Sequence, residues 1–146
     1  MPNPFDWRTV LLAKHAQHVA LIHFPIALFI VGVIFDVCAT WTKKQTFATV
    51  AFFNLGVAAL SVPPVLLTGV AAWRWQLEAQ PMKGILLYHV VAAAFSAVII
   101  VAGWWVHYRG RRNNCLPSWR LPLELAGVGL LMVTGHLGGF LSGVNG

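Results

Sequence analysis

The chain is predicted to be an all-α integral membrane protein, a four-helix bundle with both termini on the outer, periplasmic side. Three observations predict this: a composition too apolar for water, four apolar runs of membrane-spanning length, and tryptophans gathered at the ends of those runs. Of 146 residues, 58% are hydrophobic and 10% charged, and the mean hydropathy is +0.72. A soluble domain carries about 25% charged residues. This chain therefore lacks the polar surface to cover a globule in water, and lipid is the natural solvent for the excess.

The runs cover residues 19–39, 47–73, 84–106 and 121–144 and form a single transmembrane domain. Each is about 20 residues or longer, enough to cross a hydrocarbon core of roughly 30 Å. Lipid offers the backbone no hydrogen-bond partner, so each run must satisfy itself as a helix. The first follows an amphipathic segment, Pro2 to His18, which does not read as a cleaved signal. The second contains Pro63-Pro64, which should kink it and free carbonyls around Ala59 and Leu60. A packing kink is the expected role. The third opens with His89 and a run of small residues, Ala92, Ala93, Ala94, Ser96 and Ala97, and is followed by Arg109-Gly-Arg-Arg. The fourth carries His136 among Gly135, Gly138 and Gly139.

Trp7, Trp41, Trp73, Trp75, Trp104, Trp105 and Trp119 all lie at or just beyond run ends, as an interfacial belt requires. The net charge of +6 follows from basic residues flanking the spans. It does not form the basic, aromatic-bearing surface of a nucleic-acid binder. Lys43, Lys44, Arg109, Arg111, Arg112 and Arg120 fall on one side, against Arg8, Lys14, Arg74 and Lys83 on the other. The positive-inside rule then puts the first and third connecting loops in the cytoplasm of a multi-pass bacterial inner-membrane protein. Cys38 and Cys115 form no Cys-x-x-Cys pair and no c-type haem motif.

Ionisable residues within a membrane are costly, so each is a functional candidate. His23, His89 and His136 belong to three different spans. At 1.5 Å per residue they lie roughly 6, 8 and 12 Å below the same face. Imidazole is the axial ligand of b-type haem and a good ligand for copper, and helix bundles build cofactor sites from facing helices. His23 with His89 is the first axial pair expected, because their depths match best. His136 would then bond a propionate or a second cofactor. Small residues must flank a porphyrin, and Gly135, Gly138, Gly139 and Ala93 are candidates. Gly135, Gly139 and Gly143 also fit small-xxx-small helix packing. His18, Arg8, Arg74 and Lys83 are candidate propionate or outer-face partners. Tetrahedral zinc suits the set less well, since no cysteine or carboxylate joins it. His107 is expected to be an interfacial residue. Asp36 is read as the one carboxylate within a span, bonded to Asn54 between the first two helices.

The segment His18-Val-Ala-Leu-Ile-His23-Phe-Pro-Ile-Ala-Leu resembles the opening of the bacterial membrane-protein family called domain of unknown function 2231. Phe35-Asp36, Thr68-Gly69, the lone His89 of the third span and Thr134-Gly-His-Leu-Gly-Gly-Phe-Leu are similar too, so the resemblance spans nearly the whole chain. It implies a four-helix membrane protein found alongside redox proteins, without assigning a reaction. Val19 departs from the proline that commonly follows this histidine in the family, which counts against a ligand role for His18.

The leading functional expectation is a b-type cytochrome-like electron-transfer subunit, with haem b between helices in the outer half of the bilayer. Its partners would be a periplasmic redox protein such as a c-type cytochrome, other subunits of a membrane redox complex, or quinone. A non-catalytic anchoring or assembly subunit is the first alternative, and a copper or proton-handling protein the second. The sequence shows no nucleophile–base pair, phosphate loop or paired carboxylate. An enzyme acting alone is therefore not expected, although the chain could serve an oxidoreductase complex.

Overall fold

The computed structural model describes residues 14–75 and 77–142, with side chains described from Gln17 onward. It contains four long helices: α1 (Lys14–Thr42), α2 (Gln45–Trp75), α3 (Gly84–Asn113) and α4 (Arg120–Leu141). All four are long and apolar enough to cross a membrane. Each corresponds to one predicted run; α1 and α2 extend beyond it at both ends, and α3 beyond its C-terminal end. The extensions are polar turns at which a helix leaves the hydrocarbon, where an apolar-run criterion stops early. The final residues of the fourth run, Gly143 and Val144, lie outside the described residues.

The connections are short, so successive helices run antiparallel. Lys43 adopts a left-handed conformation, with φ 58°, and its N–H closes α1 on the Ala39 carbonyl at 2.9 Å. Asn114 caps α3 in the same conformation, with φ 51°, a geometry that asparagine tolerates better than most residues. Pro122 falls in the first turn of α4, where its missing N–H costs nothing. Pro63 and Pro64 are exposed on α2, which continues helical through both. Exposed Trp41, Trp75, Trp105 and Trp119 stand near the helix ends.

α1 packs along α2 and α3 along α4, and fewer contacts join the two hairpins. Gly32 brings α1 close to α2; a Cβ there would lie 2.9 Å from Leu55 Cδ2. Phe29 of α1, fully buried, meets Gly103 of α3 and Gly127 of α4. The core around Phe29 comprises Val33, Leu55, Ala58, Ala59, Val62, Ile100 and Leu131. Lipid tails are as apolar as these side chains, so close packing rather than removal from water holds the helices together. That packing is concentrated towards the end of the bundle carrying the α1–α2 and α3–α4 connections. Among the described residues it thins towards the opposite end, where α1 begins and α4 finishes.

Candidate functional site

The thinly packed end carries the four described histidine side chains singled out as ligand or propionate candidates. His18 Nδ1 lies 3.1 Å from Thr68 Oγ1 on α2. The Thr68 hydroxyl donates to its own helix, to the Pro64 and Val65 carbonyls, so here it accepts and His18 Nδ1 carries the hydrogen. His23 Nδ1 lies 2.6 Å from the Val19 carbonyl. His89 Nδ1 lies 3.1 Å from the Thr134 carbonyl on α4. A carbonyl can only accept, so Nδ1 of each ring donates, which leaves a lone pair at Nε2 when the ring is neutral. That tautomer suits Nε2 ligation of a metal, because the bond made by the other nitrogen fixes it.

The rings do not converge on one point inside the bundle. His89 packs on α4, where a Cβ added at Gly138 would lie 3.1 Å from its Cε1. Gly138 thus makes room for His89 itself. Thr134 also faces α3: its hydroxyl donates to the Leu130 carbonyl and lies 3.1 Å from Ser96 Oγ. His136 lies two residues on, about 200° round the helix from Thr134. It is exposed, as is His23. The His136 ring stands edge-on to Phe140, with centroids 5.0 Å apart. Gly135 is exposed, and nothing would touch a Cβ there within 4 Å. Ala93 and Gly139 are half-buried, while Arg74 and Lys83 are exposed at this same end of the bundle. Arg8 lies outside the described residues. Between α1 and α2, an open cleft of about 360 Å³ is lined by Gln17, Thr68, Ala71 and Trp75.

The opposite end holds a buried ionic cluster. Arg120 of α4 grips Asp36 of α1 with two hydrogen bonds, Nε to Oδ2 at 2.8 Å and Nη2 to Oδ1 at 3.3 Å. Its Nη2 also donates to Thr40 Oγ1 at 2.8 Å. His107 Nε2 of α3 lies 2.8 Å from Glu124 Oε1 and 3.8 Å from Asp36 Oδ2. Three helices therefore meet through four ionisable side chains. Arg111 adds a bond to Thr49 Oγ1 at 3.1 Å and stacks over Phe52 at 4.1 Å. Among the described residues, Asp36, His107 and Glu124 are the one set of three potential metal ligands whose atoms lie within 4.8 Å of one another.

This end corrects several readings of the sequence. Asn54 bonds the Val50 carbonyl of its own helix, and Asp36 turns instead to Arg120. His107 is buried rather than interfacial. Glu124 is a second carboxylate within a span, and the two carboxylates share His107 as a neighbour. Arg120, counted above among the basic residues that flank the spans, is buried against Asp36. The spacing of Arg120 and Glu124, four residues apart, was the available signal: it places both on one helix face.

Residues 14–146 match the model of a family described as predicted membrane protein, domain of unknown function 2231. The chain belongs to this family. No curated protein and no solved structure gives a significant match. The family match covers all four helices and bears out the resemblance carried by the His-Phe-Pro and Gly-His-Leu-Gly-Gly segments.

Proposed function

We propose that this member of the family is a small electron-transfer subunit that binds haem b at its histidine end. The observation that carries the reading is the hydrogen bonding shared by His23 and His89. Each commits Nδ1 to a backbone carbonyl and so offers a lone pair at Nε2. Three further features suit the group, which His23 and His89 would have to turn toward one another to share. The imidazoles stand on separate hairpins, open space lies beside Gly135, and Arg74 and Lys83 provide cations at the same end. Haem, when bound, supplies reversible one-electron chemistry, and the protein tunes it through ligation, burial and hydrogen bonding. His23 and His89 would be the first pair to hold the iron, and His136 is the further candidate. The Val19 and Thr134 carbonyls would orient the rings and raise their basicity. On the charge-based topology this end faces the periplasm of a bacterial inner membrane. There a c-type cytochrome, another subunit or quinone could exchange electrons.

The outward aspect of His23 and His136 favours a second reading, an anchoring subunit that presents polar side chains to a partner helix. A reduced-minus-oxidised absorption spectrum of the full chain, purified after haem-replete expression, separates the two. The haem reading expects a Soret band and a b-type α band, both lost in His89→Ala. A protein with no Soret absorption would overturn it and leave the anchoring role.

A further inference from the structure

Asp36, His107, Arg120 and Glu124 lie at the end away from the proposed haem ligands, and each is at most 9% exposed. Their charges decide what the cluster can hold. Asp36 and Arg120 cancel one another through their two hydrogen bonds. Glu124 and His107 remain, with Oε1 and Nε2 2.8 Å apart. A glutamate carboxylate beside a neutral imidazole would leave one negative charge uncompensated away from water, which is strongly disfavoured. A divalent cation would overshoot to a net positive charge, and both oxygens of Asp36 are already taken by the guanidinium. One proton brings the four groups to neutrality.

That proton has two places to sit. On Nε2 it makes an imidazolium paired with a carboxylate. On Oε1 it makes a carboxylic acid donating to a neutral imidazole. The separation suits either arrangement. Glu124 Oε2 is buried and has no hydrogen-bond partner among the described residues. Burying an unpaired oxygen costs more when it bears charge, so the environment accommodates the acid form. The other charged residues at this end, Lys43, Lys44, Arg109 and Arg112, are exposed. α2 has no charged residue before Arg74, at its far end, and the Arg111 guanidinium is directed to Thr49 and Phe52.

We propose that His107 and Glu124 form a binding site for one exchangeable proton, with the Asp36–Arg120 pair as its positioning element. Uptake takes a proton from water and forms one N–H or O–H bond. Release returns it to water, and no electron moves. The site thereby changes the charge of the seam between the hairpins by one, independently of whether haem is bound.

The test is a pH titration of the full chain in lipid nanodiscs, labelled with ¹⁵N-histidine and ¹³C-glutamate. Glu78 and Glu124 are the chain's only glutamates, so the carboxyl spectrum is simple. His107→Asn and Glu124→Gln assign the resonances. The proposal expects the His107 ring nitrogens and the Glu124 carboxyl carbon to change together, with one midpoint and the loss of one proton. In Glu124→Gln, His107 should be neutral at pH values where the wild-type pair still holds its proton. Separate midpoints in the wild type, or a His107 titration unmoved by Glu124→Gln, would overturn the proposal. So would stoichiometric zinc displacing the proton and shifting both resonances, which would make this a metal site. The wild-type titration decides the matter by itself if a variant fails to fold.

Discussion

The two ends of the bundle place polar side chains in an apolar surrounding and satisfy them in different ways. At the connection end, three bonds run between hairpins, Asp36 to Arg120, Thr40 to Arg120, and Thr49 to Arg111, beside the His107–Glu124 bond within the second hairpin. At the histidine end, His18 bonds Thr68 within the first hairpin, and His89 and Ser96 bond Thr134 within the second. The first pattern fixes the hairpins to one another. The second orients side chains inside each hairpin and leaves the hairpins less constrained against each other. If the histidine end binds haem as proposed, stability and ligand binding fall at opposite ends. A bundle only four helices wide can then open a site without losing its lock.

The strongest way to break this contrast is to remove the lock. Arg120→Met leaves Asp36 and Glu124 facing one another with His107 alone to compensate them. Breaking a buried ion pair by removing one partner costs about 3–5 kcal/mol. The expected result is a loss of that order in unfolding free energy, measured by denaturing-detergent titration from mixed micelles. Replacing the set together, as Asp36→Leu, His107→Phe, Arg120→Met and Glu124→Leu, should cost much less, because no charge is then left unpaired. A single variant as stable as the wild type would show that the cluster does not hold the hairpins.

The lock was also the part of the molecule least legible in the sequence. The four helices could be read because lipid imposes a length and a composition on each of them separately. The histidine end was legible for a related reason: His23, His89 and His136 each stand out within an apolar run, and depth can be counted along a helix. The ionic cluster depends on which faces meet. Asp36 and Arg120 are separated by 84 positions, and no periodicity in either helix reveals that they touch. Arg120 and Glu124 lie near the start of α4, where charge reads as interfacial. Counting along a helix gives the level of His136 but not its azimuth. His136 reaches the expected level on a different face from Thr134 and Gly138.

A smaller substitution probes packing alone. A Cβ at Gly127 would lie 2.6 Å from Ile99 Cγ2 and 3.0 Å from the Phe29 ring. Phe29 is fully buried and has little room to withdraw. Overpacking of this kind costs about 1–3 kcal/mol, against up to about 1 kcal/mol of helix propensity gained over glycine. Gly127→Ala should therefore be destabilised in the same detergent titration, though less than Arg120→Met. An unchanged midpoint would mean that α1 can retreat from α4 at the core, and the contrast between the ends would weaken.

The same change at the other end should act in the opposite direction. Nothing would meet a Cβ at Gly135 within 4 Å, so only the helix-propensity gain of up to about 1 kcal/mol remains. Gly135→Ala is expected to unfold no more easily than the wild type. If that space admits a porphyrin, the added methyl group must also reduce haem content, read as Soret absorbance per protein. Stability held or raised while haem content falls would mark an opening kept for a ligand at the expense of packing. Unchanged haem content would remove Gly135 from the lining while leaving the ligation by His23 and His89 to be judged on its own spectrum.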